Sequence, residues 1–469
     1  PVDAEKRRPW IDWIHTARDQ GALVRGYVKW DDQPASPAAA REALVRAKWI
    51  SETPPQGPVY INLDAGMQEA ELDAPLAPLD LQRLTPPVAS AADPDLIDRL
   101  CSALTTAQQP VVLAGRGSRT LEAWQRRLAL IERLGARVIT DLKLGAVFPT
   151  DHPLHAGAPG IWLDADASAA LRAADVILSL DWVDLGGTLK AAFGTLQPSA
   201  KIIHASLDHQ LHGGWSMDYQ ALPPVDLLLA AEPDQVVAQL ANVLQARPAK
   251  GAPACRPFPI EAVPSGAMAT VSIAHGLRGA LEGRDTSLLH LPLSWDGKLW
   301  PFRHPLDFLG QDGGAGIGAG PGISVGAALA LRHSGRLPVA ICGDGDFLMG
   351  ATAIWTAVHY RIPLLLVVAN NRSFYNDEVH QERVARLRGR PVENKWIGQR
   401  ITDPPIDLAA LGRAQGAQGF GPVTRGEDLI GVLKTAISVV DAGGVAVVDV
   451  LIEPGYTSAI SAAVLRSAD

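Results

Sequence analysis

Apolar runs bounded by glycine or paired polar residues recur through the second half of the chain. Leu337 to Cys342 is one such run and ends in Gly343-Asp344-Gly345. An amphipathic segment follows, and a second run, Pro363 to Ala369, ends in Asn370-Asn371. Short apolar runs on either side of a segment of helical period predict a strand–helix–strand unit. Both polar clusters then fall at the carboxyl ends of neighbouring parallel strands, the edge of an open α/β sheet where ligands bind. The glycines let backbone N–H groups approach a ligand, and a helix expected to begin near Phe347 would aim its positive end at it. Asp344 and Asn371 offer hard oxygen ligands, which favour Mg²⁺ or Ca²⁺ over zinc, and such an ion is normally shared with phosphate groups. Diphosphate plus magnesium is the ligand this pattern calls for.

The same alternation organises the remainder. In 266–469, strands at Ser287–Leu291, Leu337–Cys342, Pro363–Ala369 and Val445–Ile452 are interleaved with helices. The helices are expected at Ala267–Leu281, Ile323–His333, Gly350–His359, Asp407–Ala414 and Glu427–Ala442. Such a pattern predicts a parallel sheet covered on both faces. Residues 95–246 carry helices at Asp95–Ala107, Leu121–Leu134 and Pro233–Gln245 around strands Gln109–Ala114, Ala136–Thr140, Asp175–Leu180 and Ala200–Ala205, a second Rossmann-like sheet. Pro-rich stretches at 68–95 and 246–265 read as connectors. Before them lie a helix signal, Pro37–Thr53, and a short strand, Pro58–Leu63. The fold class is therefore α/β.

Gly343-Asp344-Gly345, followed after the twenty-four residues Asp346 to Ala369 by Asn370-Asn371, resembles the thiamin-diphosphate motif of the acetolactate synthase, pyruvate oxidase and 2-oxoacid decarboxylase superfamily. The resemblance implies thiamin diphosphate and Mg²⁺ as cofactors, with Asp344, Asn371 and the backbone carbonyl of Ser373 as metal ligands. Gly343, Gly345 and Asp346 would line the diphosphate, and Asp346, which replaces a small residue, is read as a cap for the helix after it or as added charge near the metal. In the loop Gly313 to Gly322, the resemblance makes Ile317 the wedge that holds the two cofactor rings in a V. Gly316 lies beside it, and Ala315 supplies a carbonyl to the 4′-amino group. Ser294 stands where the family places diphosphate contacts, although Trp295 and Asp296 depart from the usual Gly-Gln-His. Downstream of Asn371, the loop with Phe374 is implied to lie over the thiazolium. Glu378 and His380 on it are candidate proton-transfer groups, and a solvated helix start is the alternative reading.

Domain by domain, the resemblance assigns 1–75 to the close of a pyrimidine-binding domain, 95–246 to a central domain and 266–469 to the diphosphate-binding domain. The family's glutamate that drives ylid formation matches no residue here, and an incomplete sequence is the favoured reason. In the central domain Gly115-Arg116-Gly117 is a weak dinucleotide signal. The acids of Asp181-Trp182-Val183-Asp184 would repel a diphosphate, so a purely structural domain is favoured over bound FAD. The expected activity is that of a lyase or carboligase on a small 2-oxo acid, acetolactate synthase-like. A benzoylformate-type decarboxylase and a 2-hydroxyacyl-CoA or oxalyl-CoA lyase are the alternatives. A catalytically silent cofactor-binding partner subunit is the rival of another class. Resemblance also implies a homodimer or homotetramer with intersubunit active sites.

Composition narrows this further. A net charge of −8 and a pI near 5.9 over 469 residues argue against a general nucleic-acid or anionic-membrane binder. Cys101, Cys255 and Cys342 have no metal-ligand spacing and suggest no disulfide framework. With no apolar stretch long enough for a bilayer, a cytoplasmic location is expected.

Overall fold

The computed structural model describes residues 4–86, 88–207, 222–244, 255–311 and 316–456. Its strands are β1 Trp30–Asp32, β2 Val59–Ile61, β3 Pro110–Ala114, β4 Arg137–Ile139, β5 Val176–Leu180, β6 Lys201–Ala205, β7 Leu227–Leu229, β8 Thr286–His290, β9 Leu337–Gly343, β10 Leu364–Asn370, β11 Gln418–Val423 and β12 Val445–Leu451. They form two five-stranded parallel sheets, ordered β4-β3-β5-β6-β7 and β11-β12-β10-β9-β8, and the parallel pair β1-β2.

The continuous apolar runs have a direct cause. Successive residues of a strand point to opposite faces, and here both faces are covered. Along β9, Val339 and Ile341 join one core cluster while Ala340 and Cys342 join another; β10 divides the same way, with Leu365 and Val367 on one side and Leu364, Leu366 and Val368 on the other. The central sheet repeats this, Val112 and Leu178 facing away from Val111 and Ile177. Every position of β3, β5 and β10 is buried, as is β9 up to Gly343, so these runs are apolar on both faces.

The two sheets are tied together. Ala146 N donates to the Phe308 carbonyl at 2.9 Å and Thr150 N to that of Phe302 at 3.0 Å, while Arg303 pairs with buried Asp151 at 2.6 Å. Trp124 and Ala146 from the central part pack into the core beneath β8 and β9. The helix Pro37–Glu52, capped by Ser36 through the Ala39 N–H at 3.1 Å, packs on β1-β2.

Several expected boundaries move, each for a local reason. The helix expected near Phe347 begins at Asp344, directly at the strand end, and the amphipathic segment divides into Asp344–Gly350 and Ala353–His359. The helix expected at Ile323 begins at Ala319, immediately after Gly318 in a left-handed turn with φ +97°. Helices Ala165–Ala173, Leu185–Phe193 and Tyr375–Leu387, and strands β7 and β11, are additional. β11 contains Gly419, Gly421 and Pro422, which an edge strand tolerates because one side makes no ladder bonds.

The glycine turn after β3 serves packing. A Cβ on Gly115 would lie 2.3 Å from the Asp181 carbonyl, so the first glycine is needed for the approach of β5's end. The acids read as repelling a diphosphate have protein partners. Asp181 pairs with Arg116 at 2.8 Å, and Asp184 caps Leu185–Phe193 through the Gly187 N–H.

Candidate active site

β9 and β10 are neighbours, with Ala369 beside Gly343 in the ladder, so Asp344 and Asn371 emerge at adjacent strand ends. The chain then turns sharply, with Arg372 in the left-handed region at φ 57°. That conformation costs a non-glycine residue about 1 kcal/mol or more. It brings the Ser373 N–H back toward the sheet, where it is shared between Asp344 Oδ2 at 3.0 Å and Asn371 Oδ1 at 2.9 Å. Two acceptor oxygens that share one N–H must lie side by side.

Asp344 is only 3% exposed, and its other oxygen accepts from the Gly345 N–H at 2.9 Å. Among the described residues no Lys or Arg pairs with it. Burial pushes its carboxyl up to about 6, and the backbone N–H bonds only partly oppose this. A buried carboxylate without a cationic partner, beside a carboxamide oxygen, is a donor set suited to a hard divalent cation. Gly343 opens onto free space where a side chain would stand, and Gly345 is overlaid by Phe374, whose ring would meet a Cβ there at 2.2 Å. This strand edge therefore has both the oxygens for Mg²⁺ and open backbone for a diphosphate.

The loop after Asn371 is held from behind. Ser373 Oγ donates to buried Glu378 at 2.5 Å, and Arg400 Nε lies 3.3 Å from the same carboxylate oxygen. Glu378 is thus committed to fixing Ser373. His380 is exposed and stands two residues further along the helix Tyr375–Leu387, about 200° around its axis. The structure does not bring Glu378 and His380 together. On the other side of the site, Asn370 Nδ2 donates to Asp449 of β12 at 2.9 Å, which anchors the residue next to Asn371.

Asp346 caps a different helix from the one expected. Its Oδ1 accepts from Gly318 N at 2.7 Å and Gly320 N at 3.1 Å, so it holds the start of Ala319–Ala330 against the end of β9. Ile317, just before that turn, is 52% exposed. Gly316 is exposed beside it, and Ala315 lies outside the described residues. Ser294 shares a hydrogen bond with Thr270 Oγ1 at 2.8 Å. Sequence reasoning missed Arg400 and Asp449, which touch the site's residues only through tertiary contacts. It also missed His290, at the end of β8, which approaches Asp346.

Two family models match the chain: the C-terminal TPP binding domain of thiamine pyrophosphate enzymes over residues 293–450, and their central domain over 97–231. The acetolactate synthase large subunit of Corynebacterium glutamicum is 25% identical over 444 residues, covering 90% of this chain and 68% of that protein. The benzoylformate decarboxylase of Pseudomonas aeruginosa is likewise 25% identical over 444 residues, covering 90% and 76%. In fold, the chain is similar to the benzoylformate decarboxylase structure from Polynucleobacter necessarius, with a TM-score of 0.71 at 21% identity over 92% of this chain and 77% of that one. It is similar also to the 4-hydroxybenzoylformate decarboxylase of Rhodococcus jostii, with a TM-score of 0.71 at 24% identity over 94% and 79%.

Proposed function

The chain belongs to the thiamin-diphosphate-dependent enzymes of the acetolactate synthase and 2-oxoacid decarboxylase type, and from that premise we propose that it is a Mg²⁺-dependent lyase or carboligase acting on a 2-oxo acid, acetolactate synthase-like. The observation that carries this reading is the buried Asp344 carboxylate, which has no cationic partner among the described residues and shares the Ser373 N–H with Asn371.

When bound, thiamin diphosphate supplies a nucleophilic carbon and an electron sink for cleavage beside a carbonyl. The chain's own residues supply position and charge. Asp344, Asn371 and the Ser373 carbonyl would hold the magnesium ion, with Glu378 and Arg400 fixing Ser373 so that the ligands do not drift. Gly343 leaves open space at the strand end for phosphate oxygens, and Ser294, in the loop after β8, would offer a hydroxyl. Ile317 would set the ring orientation, and Phe374 would shape the substrate side. His380, exposed on its helix, is the remaining candidate for moving a proton to or from substrate.

The same reading takes the site to be completed by a second copy in a homodimer or homotetramer. Ile323 and Leu329 of the helix Ala319–Ala330, with Met349 and Trp355, expose apolar surface beside it. The central domain is read as structural, its strand-end acids already bound to protein partners.

The test is turnover by the protein loaded with thiamin diphosphate and Mg²⁺, with pyruvate and benzoylformate supplied separately. Acetolactate from pyruvate is the expected result. Benzaldehyde from benzoylformate, with pyruvate untouched, would instead select the decarboxylase alternative that the second relative suggests. A chain that binds both cofactors and releases no CO₂ from any 2-oxo acid would be the silent partner subunit, and the enzyme proposal would fall.

A further inference from the structure

Behind the Asp344–Asn371 corner, three side chains meet: His290 closing β8, Cys342 in β9 and Asp346 in the helix that follows it. One potential ligand atom from each lies within 4.8 Å of the other two. Cys342 is fully buried, and the His290 and Asp346 side chains are only 11% and 13% exposed.

Their hydrogen bonds are arranged as those around a metal are. His290 Nδ1 lies 3.0 Å from the Ile341 carbonyl and 3.8 Å from Cys342 Sγ, so in the neutral ring that donates from Nδ1 to this carbonyl, Nε2 is the nitrogen open to a ligand. Nε2 faces Asp346 Oδ2 at 3.7 Å. Asp346 Oδ1 is taken by the Gly318 and Gly320 N–H groups, while Oδ2, buried and without a hydrogen-bond partner among the described residues, has the Cys342 sulfur and His290 Nε2 beside it. An imidazole donating its far N–H to a carbonyl, and a carboxylate with its far oxygen hydrogen-bonded, form the outer shell that orients metal ligands. Glycine keeps the space open. A Cβ on Gly320 would lie 2.0 Å from Asp346 Oδ2 and 3.0 Å from Cys342 Sγ.

We propose that His290, Cys342 and Asp346 bind a single zinc-class transition-metal ion, separate from the magnesium ion of the Asp344–Asn371 corner. One nitrogen, one sulfur and one oxygen are the donors such an ion prefers, and three protein ligands leave its fourth position open. The all-oxygen corner has the opposite preference. A thiolate, a carboxylate and a dication sum to zero charge, which suits a buried site. Binding requires the thiolate, so the ion takes up the Cys342 sulfur as its proton passes to solvent. Bound there, the ion would fix Asp346 and through it the turn of Gly318 and Gly320 that carries Ile317. Its role is to position that turn.

Cobalt distinguishes the two sites, because only thiolate ligation gives a near-ultraviolet sulfur-to-cobalt charge-transfer band. The full chain, with Cys101→Ser and Cys255→Ser to remove the other thiols, is stripped with chelator and titrated with Co²⁺. The band is expected to saturate at one ion per chain, to be discharged by Zn²⁺ and not by excess Mg²⁺, and to survive Asp344→Asn. Cys342→Ser abolishes it, and Gly320→Ala, which removes no ligand, weakens Co²⁺ binding by about tenfold or more. Circular dichroism verifies that each variant is folded. Absence of the band from the folded parent overturns the proposal outright, whatever becomes of the Cys342→Ser variant. So does a band that persists in folded Cys342→Ser, or one that Mg²⁺ discharges.

Discussion

Replacing Asp344 with asparagine should stabilise the cation-free protein while removing its response to cofactor. Burial raises the Asp344 carboxyl from 3.8 to about 6, which at 1.36 kcal/mol per pH unit is about 3 kcal/mol. The folded pKa lies above the unfolded one, so the native state binds the proton more tightly between these values. Stability from this group therefore rises as the pH falls from 6 toward 4, and at pH 7 the ionised carboxylate costs the empty fold about 3 kcal/mol. Asparagine removes that cost. It can accept from only one of the two backbone N–H groups, Gly345 and Ser373, that the carboxylate holds, a loss of about 1–1.5 kcal/mol. The net expectation is about 1–2 kcal/mol more stability for Asp344→Asn in chelator at pH 7. At pH 5, where the wild-type group is largely protonated, this advantage shrinks by about 1.4 kcal/mol. With thiamin diphosphate and Mg²⁺ at a hundred times their dissociation constants, the wild type gains about 2.7 kcal/mol that the variant lacks, and the order reverses. Urea unfolding under the three conditions measures all of this. A variant less stable than wild type in chelator at pH 7, or one that keeps the full cofactor-dependent gain, would refute the reasoning.

Gly345→Ala places a methyl group into the Phe374 ring and should shift the loop bearing Ser373 by about 1 Å, lowering turnover by up to about a hundredfold; the double variant with Phe374→Ala should recover much of it, as steady-state kinetics would show. Ile317→Ala, half-exposed in the free chain, should leave unfolding free energy within about 0.5 kcal/mol and reduce CO₂ release by about tenfold or more. His155 is buried and its pKa is lowered to about 4 by desolvation, below the unfolded value of 6.5, so its contribution to stability is lost as the pH falls through that window. Between pH 7 and pH 5 the loss should be about 2 kcal/mol, seen as the difference in pH dependence between wild type and His155→Gln in urea unfolding.

Residues buried on both faces of a sheet advertise themselves, and this is why β9 and β10 were legible to within a residue at each end. The polar pairs that close them were legible for the same reason, being abrupt. What could not be read were elements stabilised by contacts remote in sequence. Tyr375–Leu387 carries charge on most of its turns and has one buried residue, Glu378, so it shows no apolar stripe. Gly343-Asp344-Gly345 reads as a loop because glycine disfavours helix, yet the Ser373 N–H and the strand end impose helical geometry from Asp344 onward. Asp346 looked like a cap for its own helix, since a cap is a local device, whereas its acceptors serve a helix starting 27 residues earlier. The grouping of His290 with Cys342 had no signal at all, because β8 and β9 become neighbours only when the sheet forms.

The order β11-β12-β10-β9-β8 has a consequence for biosynthesis. β10 lies between β9 and β12, and the Asn370 carbonyl is met by the Ile452 N–H at 2.9 Å while its amide reaches Asp449. A growing polypeptide that has just released Asp344 and Asn371 from the ribosome still lacks the strand that flanks them. The corner stays half-built, with an apolar strand edge uncovered, until some eighty further residues have emerged. The two strand ends thus acquire their flanking strand only after β12 has been made.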